Sequence, residues 1–184
     1  MSRTVYVYCA GGDVFLPETM RTAVFDNMRQ LAATLCDADM ECRLLIPIDN
    51  EIDFPTDHDT NSKRKTALAI RLANEAMIRR CDAVIANLSP FRGNEPDCGT
   101  AYECGFARAL GKPVLAYSDN MSEQTERYRD FNFHAAAADK RYAYTEIEDF
   151  ALPFNLMMYG DDYPLFPDFE SALRHFVQQQ KSHF

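Results

Sequence analysis

Two carboxylates, Asp97 and Glu103, stand in the stretch Asp97-Cys98-Gly99-Thr100-Ala101-Tyr102-Glu103-Cys104-Gly105. The stretch follows an apolar run, Cys81-Asp82-Ala83-Val84-Ile85-Ala86-Asn87-Leu88, and a polar loop from Ser89 to Pro96. The order reads as a buried strand, a loop and the first turns of a helix. An open α/β sheet places its ligand there, beyond the carboxyl end of a strand. Helical side chains lean toward the helix N-terminus, so Glu103 would lean over Gly99 and Thr100. Gly99 and Ala101 leave room for a ligand to approach. The positive end of the helix dipole favours an ionised Glu103. A positioned, ionised carboxylate beside apolar walls can attack a sugar carbon. The plainer reading, a solvated acid in a first turn, is the stronger one on residue type alone.

Four further groups could share the site. Asp97 is a favoured helix N-cap, and its second oxygen could accept a bond from a ligand hydroxyl. Tyr8 ends the first strand, just before Ala10-Gly11-Gly12. First and third strands are often neighbours in a doubly wound sheet, which would bring the Tyr8 hydroxyl to Glu103. A core tyrosine with a wet tip is an equal alternative. Asn155 lies inside Leu152-Pro153-Phe154-Asn155-Leu156-Met157-Met158-Tyr159. A buried amide there needs a partner, either local backbone or a ligand, and such an apolar patch can be covered in an oligomer. Asp49-Asn50-Glu51 follows the second strand at the same edge and reads as a base-facing loop or, on residue type, as a turn.

The elements that must position these groups alternate between strand and helix. Strands are expected at Thr4 to Cys9, Cys42 to Pro47, Asp82 to Leu88 and Val114 to Ser118, with a short fifth within Tyr142 to Phe150. Helices are expected at Thr19 to Ala38, Lys63 to Arg80, Asp97 to Leu110 and Phe166 to Gln180. Met20, Val24, Phe25, Met28, Leu31 and Leu35 recur at helical spacing in the first, and Leu68, Leu72, Ala76 and Met77 share a side of the second. The Ala run at 135 to 138 could form a helical turn. The near-continuous apolar run at Asp82 to Leu88 suits a sheet buried on both faces. Gly111 with Pro113 is a helix stop. The pattern predicts one doubly wound α/β domain over residues 1–184, with a mainly parallel, about five-stranded sheet flanked by helices.

The chain has 184 residues and a formal net charge of -9. That balance argues against nucleic-acid binding, which wants a basic face. No apolar run approaches the roughly 20 residues that span a bilayer, and the N-terminus lacks a signal-peptide pattern. The six cysteines form no Cys-x-x-Cys pair and the four histidines are scattered, so a metal site is not expected. Free core thiols imply a reducing, cytoplasmic setting. Ala10-Gly11-Gly12 lacks dinucleotide spacing, and no Walker motif is present.

The order of Tyr8-Cys9-Ala10-Gly11-Gly12-Asp13-Val14-Phe15, Pro47-Ile48-Asp49-Asn50-Glu51, Asp82-Ala83-Val84-Ile85-Ala86, Asp97 to Ala107, Ala109 to Val114 and Leu152 to Leu156 resembles the nucleoside 2-deoxyribosyltransferase family. The resemblance implies a flavodoxin-like sheet, no metal or organic cofactor, and small-molecule nucleosides and free bases as partners. It casts Glu103 as the nucleophile that attacks C1′ of a 2′-deoxynucleoside. A second base then displaces the covalent deoxyribosyl group with net retention, the two-step logic of a retaining glycosidase. It casts Tyr8 as the group orienting Glu103, Asp97 as the holder of the 5′-hydroxyl, and Asn155 as an amide donated by a neighbouring subunit of a homo-oligomer. Asp49 and Glu51 fall in the base-facing loop, and Gly11, Phe15 and Gly99 at the substrate. Relatives that hydrolyse nucleoside 5′-monophosphates tend to carry small hydroxyl residues where Asp97 and Asn155 stand. Asp97 would repel a phosphate, which favours free deoxynucleosides.

The chain departs from the family at Asn74, where many members carry an Asp that protonates the departing base. Asn can hydrogen-bond the base but donates no titrating proton, so Glu51, another acid or water would serve. Two other functions stay open: an N-glycosidase with water as acceptor, and a non-catalytic module that binds nucleoside derivatives.

Overall fold

The computed structural model describes residues 3–37, 39–50, 52–53, 59–130, 146–160 and 163–182. Five parallel strands form one sheet: β1 (Arg3–Ala10), β2 (Met40–Leu45), β3 (Ala83–Asn87), β4 (Val114–Tyr117) and β5 (Leu165–Phe166), in the order β2-β1-β3-β4-β5. Described helices are α1 (Glu18–Leu35), α2 (Thr60–Arg80), α3 (Cys98–Ala109), the short α4 (Gln124–Arg127) and α5 (Phe169–Ser182). The chain runs outward from β1 to β2, then returns across it to β3. That reversal opens a crevice at the carboxyl ends of β1 and β3.

Alternation along the strands divides the core into two layers. Val5, Val7, Cys9 and Ile85 face α1 and α5, meeting Phe25, Met28, Leu173 and Phe176. Tyr8, Ala10, Val84 and Ala86 face α2 and α3, meeting Met77, Ile78, Cys104 and Ala107. Tyr8 and Cys9 thus point into different layers, and only the first reaches the face that carries Glu103. Each fully buried aliphatic side chain contributes about 1.5–3 kcal/mol against leaving it exposed. Cys9, Cys42, Cys81 and Cys104 are buried as small core residues.

Several expectations are corrected. The fifth strand is Leu165–Phe166, which pairs with Ala116 and Tyr117 of β4. Within Tyr142 to Phe150, residues 146–150 are irregular; the rest of that segment and the Ala run at 135 to 138 lie outside the described residues. Phe166 is therefore strand, and the closing helix begins three residues later, where Asp168 Oδ1 accepts the Ser171 N–H at 2.7 Å. α2 begins at Thr60 because Asp59 caps the N–H groups of Asn61 and Ser62. α1 ends at Leu35, since Cys36 is extended. Leu68 and Leu72 are 49% and 51% exposed, and Met20 is 56% exposed. The sheet contacts α2 through Met77 and Ile78, which lie about 100–200° around the helix from Ala76. That rotation leaves the Leu68–Leu72 stripe outside the core. The stop after α3 holds: Gly111 adopts φ 71°, a left-handed conformation that costs a non-glycine residue free energy.

Candidate active site

α3 starts beyond the carboxyl end of β3, and its capping residue is Asp97. The Asp97 Oδ2 accepts the Thr100 N–H at 2.9 Å and the Thr100 hydroxyl at 3.0 Å. Gly99 sits under this cap; a Cβ there would stand 3.0 Å from the same oxygen. The N-cap reading of Asp97 is therefore observed. Its other oxygen takes no part in these bonds.

Glu103 projects from the second turn of α3 toward β1. The Tyr8 hydroxyl donates to Glu103 Oε1 at 2.6 Å. The β1–β3 register, with Tyr8 opposite Val84, sets this pair. Asn74 of α2 stands near the Glu103 carboxylate and favours its ionised form. Burial is the main influence on Glu103 and pushes its pKa from 4.5 up to about 7. The nearby Asp97 charge pushes the same way, while the Tyr8 bond and the neighbouring Asn74 amide pull it down. Tyr8 is fully buried. Burial first, and the Glu103 charge second, raise its pKa far above the ordinary tyrosine value. It remains a protonated donor at any ordinary pH. The result is a carboxylate held in one orientation, little solvated, and titrating near neutrality. Such a group suits nucleophilic attack better than a solvated surface acid does.

A second set of groups lines the same edge. The Asn87 amide donates to Asp13 Oδ2 at 2.9 Å, tying the end of β3 to the turn after β1. Gly11 lies against this pair: a Cβ there would stand 2.7 Å from Asp13 Oδ2 and 2.9 Å from Asn87 Cβ. Phe15 is 57% exposed, and its ring lies 5.3 Å from that of Phe91. The Arg92 guanidinium stacks over both rings, at 4.6 Å from Phe91 and 5.0 Å from Phe15. Arg92 holds φ 51°, an uncommon conformation for a non-glycine residue. Asp13, Asn87, Phe91 and Arg92 were not singled out from the sequence. The one available hint was the polar Asn87 closing an otherwise apolar strand.

Two expected groups have partners of their own in this chain. Both Asp49 oxygens accept from Arg29 Nη2 at 3.0 Å. Asp49 lines a cleft of about 350 Å³ against Ala73, Ala76, Met77 and Arg80 of α2. The Asn155 side chain caps a short turn, Leu156–Met158, accepts the Met157 N–H at 3.1 Å and donates to Glu148. It lines a cavity of about 430 Å³ with Glu95, Cys98, Ala101, Cys104 and Tyr163. Glu103 leaves α3 on nearly the opposite side from Ala101 and Gly105, which line that cavity, at about 100° per residue. Tyr8, Asn74 and Glu103 are thus brought together with Asp97 close by, while Asn155 is not gathered with them. Glu51 lies outside the described residues. Among the described residues no group of His, Cys, Asp and Glu side chains could hold a metal ion, and no helix is long and apolar enough to cross a membrane.

The nucleoside 2-deoxyribosyltransferase family profile matches residues 7–157. A solved 2-deoxyribosyltransferase from Leishmania mexicana is 38% identical, with a TM-score of 0.71 over 95% of this chain and 97% of that one. One from Bacillus psychrosaccharolyticus is 17% identical, with a TM-score of 0.46 over 71% of this chain and 95% of its own. Among curated proteins, an uncharacterised Schizosaccharomyces pombe protein is 28% identical over 130 residues, 70% of this chain. The match spans 57% of the length of that relative. A profile that matches most of the chain, together with a solved relative aligned almost end to end, identifies its kind: the chain belongs to the nucleoside 2-deoxyribosyltransferase family.

Proposed function

We propose that this chain transfers 2-deoxyribose from a 2′-deoxynucleoside to a free purine or pyrimidine base through a covalent deoxyribosyl-Glu103 intermediate. The observation that carries the reading is the buried Glu103 carboxylate held by the Tyr8 hydroxyl at 2.6 Å. Family membership supports the substrate class. A Glu103 oxygen attacks C1′ as the C1′–N bond breaks, and the electron pair leaves with the base. A second base attacks C1′ from the opposite face, and the carboxylate departs. Two inversions give retention. Tyr8 keeps one carboxylate oxygen engaged, so the other is presented in a fixed direction. Phe15, beside Phe91 and Arg92, offers an aromatic face to the base, and Gly11 lets backbone approach. Asp97, already a cap, would hold the 5′-hydroxyl and repel a 5′-phosphate.

The same reading makes the chain a homo-oligomer with shared sites, Asn155 serving a neighbour. Its support is the position of Asn155 away from Glu103 of its own chain. Phe150 and Met157 nearby are 60% and 79% exposed. The Leu68–Leu72 stripe of α2, with Tyr102 of α3, is likewise uncovered in a single chain.

The test is a chromatographic assay of 2′-deoxyinosine with and without adenine. The expected result is 2′-deoxyadenosine and hypoxanthine appearing together only when adenine is present. Hypoxanthine and free deoxyribose at one rate regardless of adenine would make the protein an N-glycosidase. Intact mass after donor alone should show a deoxyribosyl adduct that the Glu103→Gln variant lacks. Silence with purine, pyrimidine and 5′-monophosphate substrates, with binding retained, would make the chain a binding module.

A further inference from the structure

Two segments that carry candidate site residues meet at Arg127, the last residue of α4. One is the loop that leads into Asp97, and the other is the segment that leads into the turn capped by Asn155. Arg127 Nη1 donates to the Asn94 carbonyl at 3.1 Å, and its Nη2 donates to the Pro153 carbonyl. The guanidinium lies 5.1 Å from the centre of the Phe154 ring. Asn94 precedes Asp97 by three residues, and Pro153 precedes Asn155 by two. Neighbouring groups complete a bracket. Asn94 Nδ2 donates back to the Arg127 carbonyl at 3.2 Å, and the Tyr128 hydroxyl donates to Glu95 Oε1 at 2.7 Å. The Gln124 N–H donates to the Leu152 carbonyl at 2.9 Å. The bracket has a cost: Arg127 Nε is buried with no hydrogen-bond partner among the described residues. Buried polar atoms are nearly always paired, so the exception calls for a use.

We propose that Arg127 is a positioning residue for the proposed transfer: through Asn94 it sets Asp97 in the site of its own chain, and through Pro153 it sets Asn155 for the site of a neighbour. This rests on the reading of Asp97 and Asn155 as the groups that hold the 5′ end of the sugar. Arg127 acts through those two segments and touches no reacting atom. The residue type fits the task. A guanidinium presents its donors in a rigid planar fork, so one side chain reaches two carbonyls in fixed directions. Stacking on the Phe154 ring holds the plane of that fork. A lysine ammonium is a point charge on a flexible stem and fixes no such angle. Moving a substrate-holding group by about 1 Å costs about a hundredfold in rate. Contacts to a remote part of the substrate also lower the barrier at the reacting centre, so the effect is read in kcat/KM.

The experiment measures kcat/KM for hypoxanthine release, with adenine as acceptor, from 2′-deoxyinosine and from 2′,5′-dideoxyinosine. The second substrate lacks the 5′-hydroxyl, so it gains nothing from well-placed Asp97 and Asn155. The wild type should favour 2′-deoxyinosine. Arg127→Lys should lose about tenfold more on 2′-deoxyinosine than on the 5′-deoxy analogue. A change that only weakens the fold lowers both substrates alike, so equal losses overturn the inference. Should Arg127→Lys lack a cooperative thermal transition, Tyr128→Phe carries the test. It removes only the bond to Glu95 from the same bracket, and its loss should fall about threefold more heavily on 2′-deoxyinosine; equal losses again overturn the inference. A wild type equally active on both substrates overturns the inference and leaves Glu103 as nucleophile standing. A wild type that releases base from neither substrate overturns the functional reading, and the inference with it.

Discussion

Replacing Glu103 by Gln should abolish transfer and at the same time stabilise the fold above neutral pH. Burial raises Glu103 from 4.5 to about 7, so the folded chain resists ionising it. The unfolded chain does not, and between those values the folded state binds more protons. The stability contributed by the neutral acid is fully present below about pH 4.5 and is lost as pH rises through about 7. At 1.36 kcal/mol per unit, an ionised Glu103 costs about 3 kcal/mol, an order-of-magnitude figure. Gln avoids that cost. Its carbonyl can still accept from Tyr8. The gain in melting temperature should therefore be near zero at pH 4.5 and about 5–10 °C at pH 8.5, for a chain of this size. Calorimetry or urea unfolding of both proteins across that range reads it directly. A gain independent of pH, or a loss at pH 8.5, would refute the claim that the fold holds a desolvated, ionisable carboxylate here. The site would then be an ordinary surface acid, and the stability–activity trade-off expected at a functional site would be absent.

Other expectations follow from the same geometry. Because Glu103 must be ionised to attack, wild-type kcat/KM should rise with pH through about 7 and level above it; a flat profile from pH 5 to 8 would count against a nucleophilic Glu103. Tyr8→Phe removes a donor to a charged group, worth about 1.5–3 kcal/mol, and should lower kcat by about ten- to hundredfold while moving the acid limb upward. Asp97→Asn keeps an oxygen for the Thr100 cap but removes the charge that raises Glu103; its acid limb should move to lower pH with the melting temperature little changed. Leu68→Glu with Leu72→Glu should reduce the oligomeric mass seen by light scattering without lowering the thermal midpoint of the isolated domain, since neither leucine is in the core.

How much of this was legible in the chain differs from element to element. Residues Ala83–Asn87 read as strand because both faces of β3 are covered, which demands an apolar run. The end of α3 read correctly because Gly111 marks a left-handed backbone conformation that residues with side chains rarely adopt. The start of α2 did not, because Asp59 caps from within an acidic loop where several residues look equally able. β5 escaped notice because two residues carry no period. The exposure of the Leu68–Leu72 stripe was not legible because periodicity shows that a face is apolar and not which surface covers it.

Residue identity and order alone determined the strand–helix alternation, the Asp97 cap, the acid on the second turn of α3 and the kinship these imply. Local sequence carries that information because capping, helix stops and apolar period are short-range effects. Only the tertiary structure decided which groups meet. Tyr8 and Glu103 lie 95 residues apart and touch because β1 and β3 are neighbours in the sheet. Asp49 is claimed by Arg29, Asn155 is turned to the far flank of α3, and Asn74 stands near Glu103 with its buried Oδ1 unpaired among the described residues. Burial then makes a common carboxylate one that titrates near neutrality, and burial belongs to the packed fold and to no residue by itself.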